Sequence, residues 1–304
     1  MRILIIASGN SLQLSPFVKE QAESLIEKGL SIDFFLIKGK GLFGYLRNYY
    51  LLIKKIKYKK YDLIHAHYGL SGLLATFQLS VPVVITFHGS DVNMKKNYIF
   101  SRIASRLSTN NIFVHQNLSK KLKIYRDPLN IIPCGFNKNL FFPIPKDKAR
   151  EILNWKKNIH YIVFSSAFDN KIKNVRLAWS ATSDLNNCKL IELKGYGKEK
   201  INLILNASDL LLVTSLSETG PIIVKEALAC NCPIISTNVG DVQKLIRNVQ
   251  NCYISDYNPE DIKKKINLVF SNNKRTNGEQ AIKNFNLENI AHKVINVYKT
   301  TLSN

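Results

Sequence analysis

The chain has 304 residues, enough for one large α/β domain or two of ordinary size, either with a substantial buried core. With 45% hydrophobic and 21% charged residues it is not a disordered or fibrous chain. A formal net charge of +21, from 43 Lys and Arg against 22 Asp and Glu, points to anionic partners: nucleic acid, phosphorylated small molecules or anionic lipid heads.

The opening "MRILIIASGN" carries an apolar run too short for a signal peptide and reads as a first strand. No stretch approaches the roughly 18 uninterrupted apolar residues of a membrane span, so the expected compartment is the cytoplasm. The runs "RILIIA", "SIDFFLI", "DLIHAH", "PVVITF", "NIFVHQ" and "NIIPCG" alternate with helical stretches, a βαβ rhythm that predicts a parallel sheet with helices on both faces. After the charged, Pro-containing "FFPIPKDKAREILNWKKN" the rhythm begins again with "HYIVFSS", "CKLIELKG", "DLLLVTS", "CPIIST" and "NCYISD". The expected organisation is two doubly wound domains, 1–143 and 144–286. A terminal amphipathic helix over 287–304, with Ile290, Val294, Val297 and Tyr298 at helical spacing, is expected to return to the first domain. The five cysteines are odd in number and scattered, without metal-ligand spacing, and no metal site is expected.

In such sheets ligands bind beyond the carboxyl ends of the strands, where strand order reverses. The loops that follow strands are therefore the ones to inspect: "SGNSLQLSP", "FHGSD", "SSAFDNKIKN", "KGYGKEK" and "SLSETGP". In "SLSETGPIIVKEALA" Pro221 suits a first helical turn and Thr219 or Gly220 the cap, with free amides and a positive dipole end suited to phosphate. Glu218 lies just outside that helix. Glu226 lies inside it, among Ile222, Ile223, Val224, Ala227 and Leu228, where a carboxylate needs hydrogen-bond donors. Vicinal sugar hydroxyls would serve. So would a lysine on the outer face, with Lys225 and Lys244 as candidates.

The segment containing Glu218, Gly220, Pro221, Glu226, Ala227, Ala229 and Pro233 resembles the signature of glycosyltransferase family 4, and "KEALACNCPIISTNVGDV" is most similar to its bacterial cell-surface polysaccharide branch. "NIIPCGFNKNLFFP", "LKGYGKEKINLILNASDLLLVTS", "HAHYGLSGLLA" and "VPVVITFHGSDV" resemble other family segments in matching order. The resemblance implies a GT-B fold: two Rossmann-like domains facing each other across a cleft. It implies a retaining, metal-independent hexosyltransferase that moves a sugar from a nucleotide sugar, UDP-linked, to a lipid-linked or growing surface glycan. No cofactor is expected beyond that co-substrate.

By the same resemblance Glu218 would contact the transferred sugar and Glu226 the ribose, with Thr219, Gly220 and Ile222 beside the sugar and diphosphate. Gly195 and Tyr196 would line the donor pocket, and His88 would meet the donor sugar from the other domain. Ser15, Pro16 and Asp91 are candidates on the acceptor side. The diphosphate needs cations, because stabilising the charge that develops there is often the largest catalytic term. Lys173 matches the family's lysine, whereas Phe168 stands where an arginine is usual, leaving Lys171 or Arg176 to supply that charge.

The segment 38–60 combines Lys38, Lys40, Arg47, Lys54, Lys55, Lys57, Lys59 and Lys60 with Phe43, Tyr45, Tyr49 and Tyr50. Basic residues beside aromatics suit an interfacial helix on anionic lipid, and the protein is expected on the inner face of the cytoplasmic membrane. In an ordinary helix Leu46, Tyr49, Tyr50 and Ile53 would instead face the sheet. Nucleic-acid-binding motifs are absent from the sequence, and no nucleic-acid partner is expected. Two other functions fit the same residues: a nucleotide-sugar epimerase or hydrolase on this scaffold, and a non-catalytic nucleotide or polyanion binder.

Overall fold

The computed structural model describes residues 1–10, 14–39, 41–125 and 127–303; Lys40 of the basic segment lies outside them. The chain divides into two compact units, Met1–Cys134 together with Leu287–Asn304, and Gly135–Asn286. The division falls nine residues before the expected Pro143. Phe136 and Phe141, nearly fully buried, belong to the core of the second unit and carry the connecting segment with them.

The strands of the first unit are β1 (Arg2–Ser8), β2 (Ser31–Ile37), β3 (Leu63–His67), β4 (Val83–Phe87), β5 (Asn110–Phe113) and β6 (Asn130–Ile131). They lie parallel in the order β2-β1-β3-β4-β5-β6. Strand side chains alternate between faces, so β1 sends Leu4 and Ile6 to one core and Ile3, Ile5 and Ala7 to the other. The helix Leu287–Ser303 covers the second of these faces with Ile290, Val294, Val297 and Tyr298, all buried. Each fully buried Ile or Leu contributes roughly 1.5–3 kcal/mol of transfer free energy.

The second unit contains β7 (His160–Phe164), β8 (Cys188–Ile191), β9 (Leu210–Val213), β10 (Ile234–Thr237) and β11 (Tyr253–Ser255), parallel in the order β11-β10-β9-β7-β8. Val163, Leu211, Val213 and Ile234 face one core; Ile162, Phe164, Leu210, Leu212 and Ile235 face the other. Both sheets are α/β, as the alternating pattern predicts.

Strand order reverses once in each sheet. In the first unit the chain passes from β2 across β1 to β3; in the second it passes from β8 across β7 to β9. Because all strands are parallel, the loops after β1 and β3 flank one switch point, and those after β7 and β9 flank the other. The basic segment forms the helix Gly41–Tyr58. Among its described side chains Leu52 and Asn48 are buried, whereas Leu46 and Tyr50, on the stripe that an ordinary helix would turn inward, are exposed.

Candidate functional site

In the second unit, the loop after β7 ends in a 3-10 turn, Lys171–Lys173, followed by Asn174 in the left-handed region at φ 53°. The turn directs Lys173 towards the loop after β9. There Lys173 Nζ donates to Glu218 Oε1 at 2.6 Å, and Ser215 Oγ donates to the same oxygen at 2.8 Å. Both partners of the ion pair are largely buried, with side chains 17% and 15% exposed. Backbone bonds tie the two loops: Leu216 N–H donates to Ile172 O, and Thr214 Oγ1 donates to the carbonyls of Lys173 and Asn174. Thr237 Oγ1 and Tyr257 OH both donate to Ser215 O. These supporting residues were not singled out from sequence, since only the fold brings residues 173, 215, 237 and 257 together.

The helix beyond Glu218 spans Ile222–Ala229, with Pro221 itself as the N-cap residue, one place after Gly220 and two after Thr219, the expected caps. Proline has no N–H and its φ of −67° feeds directly into the helix. Asn231, at φ 52°, ends the helix, and Cys232 N–H donates back to Ala227 O, so buried Cys230 and Cys232 flank a turn. Glu226, only 5% exposed, faces a lysine, but neither Lys225 nor Lys244. Lys198 Nζ, from the start of the helix Lys198–Ala207 after β8, donates to Glu226 Oε1 at 3.1 Å. Gly195, at φ +75°, turns the chain into that helix, and Tyr196 lies under the Lys200 ammonium.

Lys225 points the other way. It is fully buried, its Nζ 3.7 Å from Asp241 Oδ2 and 5.7 Å from the centre of the Phe285 ring. Gly240, at φ +57°, packs so closely on this loop that an added Cβ would lie 2.8 Å from Thr219 O. A Cβ on Gly220 would lie 3.4 Å from Asp241 Oδ2. The segment holding Gly240 and Asp241 therefore backs the loop Glu218–Gly220.

Phe168 is half-buried and packs against the core, its ring 5.5 Å from that of Phe164 and 5.6 Å from that of Trp179. Its backbone N–H donates to Glu192. Lys171 and Arg176 are exposed, and the cation brought into the loop pair is Lys173.

In the first unit, the loops after β1, β3 and β4 converge. Ser15 precedes the helix Pro16–Glu27, with Pro16 exposed at its start. The Phe17 ring lies 4.8 Å from His88, and Tyr68 lies 4.7 Å from it. His88 Nε2 is 3.0 Å from His67 Nδ1, and His88 Nδ1 is 3.8 Å from Cys134 Sγ. His65, its ring 4.5 Å from that of His67, bonds Tyr298 OH through Nδ1 and Thr86 Oγ1 through Nε2. Burial holds His88 and His65 neutral, pushing both down to about 3, and holds His67 well below its ordinary value.

Asp91 is buried beneath this cluster. Its carboxylate accepts the backbone N–H groups of Gly69, His88 and Gly89, joining the loop after β3 to the loop after β4. Burial raises its carboxyl while those amides pull it down. Gly69 admits no side chain there, since a Cβ would meet Ser101 Oγ at 2.0 Å. Among the described residues, no group of three or more His, Cys, Asp or Glu side chains is placed to hold a metal ion.

Two doubly wound units, each with polar loops at its switch point, are the architecture of the GT-B class, and the comparisons with known proteins supply the family. The "Glycosyltransferase Family 4" model matches residues 17–140 and the "Glycosyl transferases group 1" model matches residues 182–285. The chain belongs to the family 4 glycosyltransferases. It is 26% identical over 296 residues to an uncharacterized glycosyltransferase of Methanocaldococcus jannaschii, covering 87% of this chain and 82% of the relative. It is 27% identical over 293 residues to the Escherichia coli UDP-Gal:alpha-D-GlcNAc-diphosphoundecaprenol alpha-1,3-galactosyltransferase, covering 81% and 73%. In fold it is similar to HepE from Anabaena, crystallised in complex with UDP and glucose, with a TM-score of 0.79 at 16% identity over 99% of this chain and 100% of that one.

Proposed function

We propose that the protein transfers a sugar from a UDP-linked donor, with retention of configuration, to a lipid-linked or growing surface glycan. The observation that carries this reading is the meeting of Lys173 and Glu218, 45 residues apart, at 2.6 Å beside the switch point of the second sheet. Glu218 supplies oxygens for sugar hydroxyls, and the Lys173 ammonium it holds is the cation for the β-phosphate as the leaving group gains charge. Glu226, one turn inside the same helix, accepts from ribose hydroxyls, with Lys198 compensating its charge until the donor arrives. Thr219, Gly220 and Ile222 surround the sugar and diphosphate, Gly195 and Tyr196 shape the same pocket, and Lys171 is a second phosphate cation.

His88 is neutral on this reading and acts on the sugar by hydrogen bonding rather than as a cation, while Ser15, Pro16 and Asp91 belong to acceptor binding. The donor is supported by the UDP complex of HepE, and the lipid-linked acceptor by the name of the E. coli relative. No helix among the described residues is long and apolar enough to cross a membrane. Attachment is proposed through the basic segment 38–60 to the anionic inner face of the cytoplasmic membrane.

The test is a panel of nucleotide sugars incubated with the protein, with and without membrane lipid extract, following free nucleoside diphosphate and the returned sugar. Acceptor-dependent release of UDP is expected. Glu218→Gln and Lys173→Met should each lower turnover by about 10²–10³-fold, the size seen when one transition-state contact is removed. Epimerised donor, or binding without turnover, would overturn the transfer reading.

A further inference from the structure

A cavity of about 600 Å³ opens in the first unit, between the helices Gly41–Tyr58, Gly69–Thr76 and Lys95–Leu107. It is lined by Tyr45, Leu46 and Tyr49 from the first, Leu70, Leu73 and Leu74 from the second, and Phe77 and Phe100 beyond them. Its volume is that of a small-molecule site, yet its wall presents almost no polar group to fix a polar ligand. The Tyr49 hydroxyl donates to Phe77 O.

The rim combines exposed hydrophobes with cations. On the first helix Phe43, at 86% exposed, Leu46 and Tyr50 share one stripe with Arg47 and Lys54. On the third, Ile99, Phe100 and Ile103 are exposed beside Lys96 and Arg106. Between them the turn after Thr76 holds Leu79 out at 91% exposed and φ +54°, a conformation costly for a branched residue. Gln78 builds that turn, its Oε1 accepting from Ser80 N, Ser80 Oγ and Val81 N while its Nε2 donates to Val81 O.

The charge is one-sided. No Asp or Glu occurs between Asp33 and Asp62, nor between Asp91 and Asp127, so neither rim helix carries a carboxylate. An apolar cavity ringed by exposed aromatics and cations complements a molecule with a hydrocarbon chain and an anionic head lying at a bilayer surface.

We infer that this cavity binds the hydrocarbon chain of a phosphate-bearing membrane lipid, with Phe43, Tyr50, Phe77 and Leu79 entering the interface and Arg47, Lys54, Lys96 and Arg106 meeting the head groups. Only the choice of a phosphate head rests on the proposed lipid-linked acceptor; the chain site stands on the cavity itself. The second basic helix, Lys95–Leu107, extends the membrane-facing surface beyond the segment 38–60.

The test is titration of the full-length protein, saturated with UDP to block the donor site, with diphosphates of rising chain length below their micelle concentrations: inorganic diphosphate, isopentenyl, farnesyl and geranylgeranyl. Each buried methylene is worth roughly fourfold in affinity, so the geranylgeranyl compound should bind at least about 100-fold more tightly than the isopentenyl one. Leu73→Trp, which fills the cavity, and Leu46→Asp, at the exposed rim where folding is not at stake, should each remove at least about tenfold of that difference. Affinity independent of chain length, or a chain-length dependence that survives both variants, would overturn the site. UDP affinity, measured alone, reports the donor site: its absence alongside an intact chain-length dependence would count against the transferase reading and for this one.

Discussion

Acidification should loosen the first unit before the second, because two fully buried histidines there are built to stay neutral. His65 and His67 are 0% exposed, and the groups facing them are uncharged: Tyr298 from the terminal helix, Thr86 from β4 and His88 from the loop after it. Burial pushes His65 down to about 3 and His67 well below 6.5, the value both regain on unfolding. The unfolded chain therefore binds more protons below pH 6.5, and stability present above that value is lost progressively as pH falls towards the folded values. Between pH 7.5 and 5.5 a histidine that stays neutral in the fold costs on the order of 1 kcal/mol, and the two losses have the same sign. His88, also held down to about 3, adds a loss of the same sign. Asp91, whose carboxyl burial raises, works in the opposite direction. Asp33 is held low by hydrogen bonds from Lys59, Tyr61 and Arg2 although desolvation pulls it up, and it matters only below about pH 4.

Amide exchange of peptides spanning β3 and β4, corrected for intrinsic rates, should show that loss at pH 5.5. Trp155 and Trp179, the chain's two tryptophans, both lie in the second unit, so their fluorescence in urea provides the internal control. His67→Phe, which keeps a ring in place, should reduce the pH effect. Protection of β3 and β4 unchanged within about 0.5 kcal/mol between the two pH values would refute the reasoning.

Lys225→Met should destabilise the second unit by about 3 kcal/mol, because it leaves Asp241 without its buried cation, and adding Asp241→Asn should recover most of the loss; tryptophan-monitored urea midpoints decide it. Gly240→Ala should cost about 1–2 kcal/mol for its left-handed backbone and also displace Thr219, so donor turnover should fall at least about tenfold while urea stability falls only modestly. Glu226→Gln should weaken UDP binding by about tenfold, and the penalty that 2′-deoxy-UDP suffers in the parent protein should vanish in the variant. A 2′-deoxy penalty of equal size in both proteins would move the ribose away from Glu226.

The twofold βαβ rhythm and the terminal helix were legible along the chain, because apolar runs of strand length and helical spacing are local properties. So was the importance of "SETGPIIVKEALA", where a carboxylate among apolar helix neighbours demands a partner. The partner itself was not legible. Lys225 is adjacent in sequence but turns towards Asp241, while Lys198, on another helix, reaches Glu226. The missing arginine at Phe168 likewise finds its explanation in packing, since that ring fills space between Phe164 and Trp179.

Sequence by itself thus determined which residues are apolar, which loops follow strands, and which carboxylates could not be left bare. Tertiary structure alone decided which cation meets which carboxylate, because sheet order sets loops 45 residues apart side by side at the switch point. It also decided that the stripe of Leu46 and Tyr50 faces outward over a cavity: periodicity marks an apolar face, whereas only neighbouring helices determine whether that face is covered.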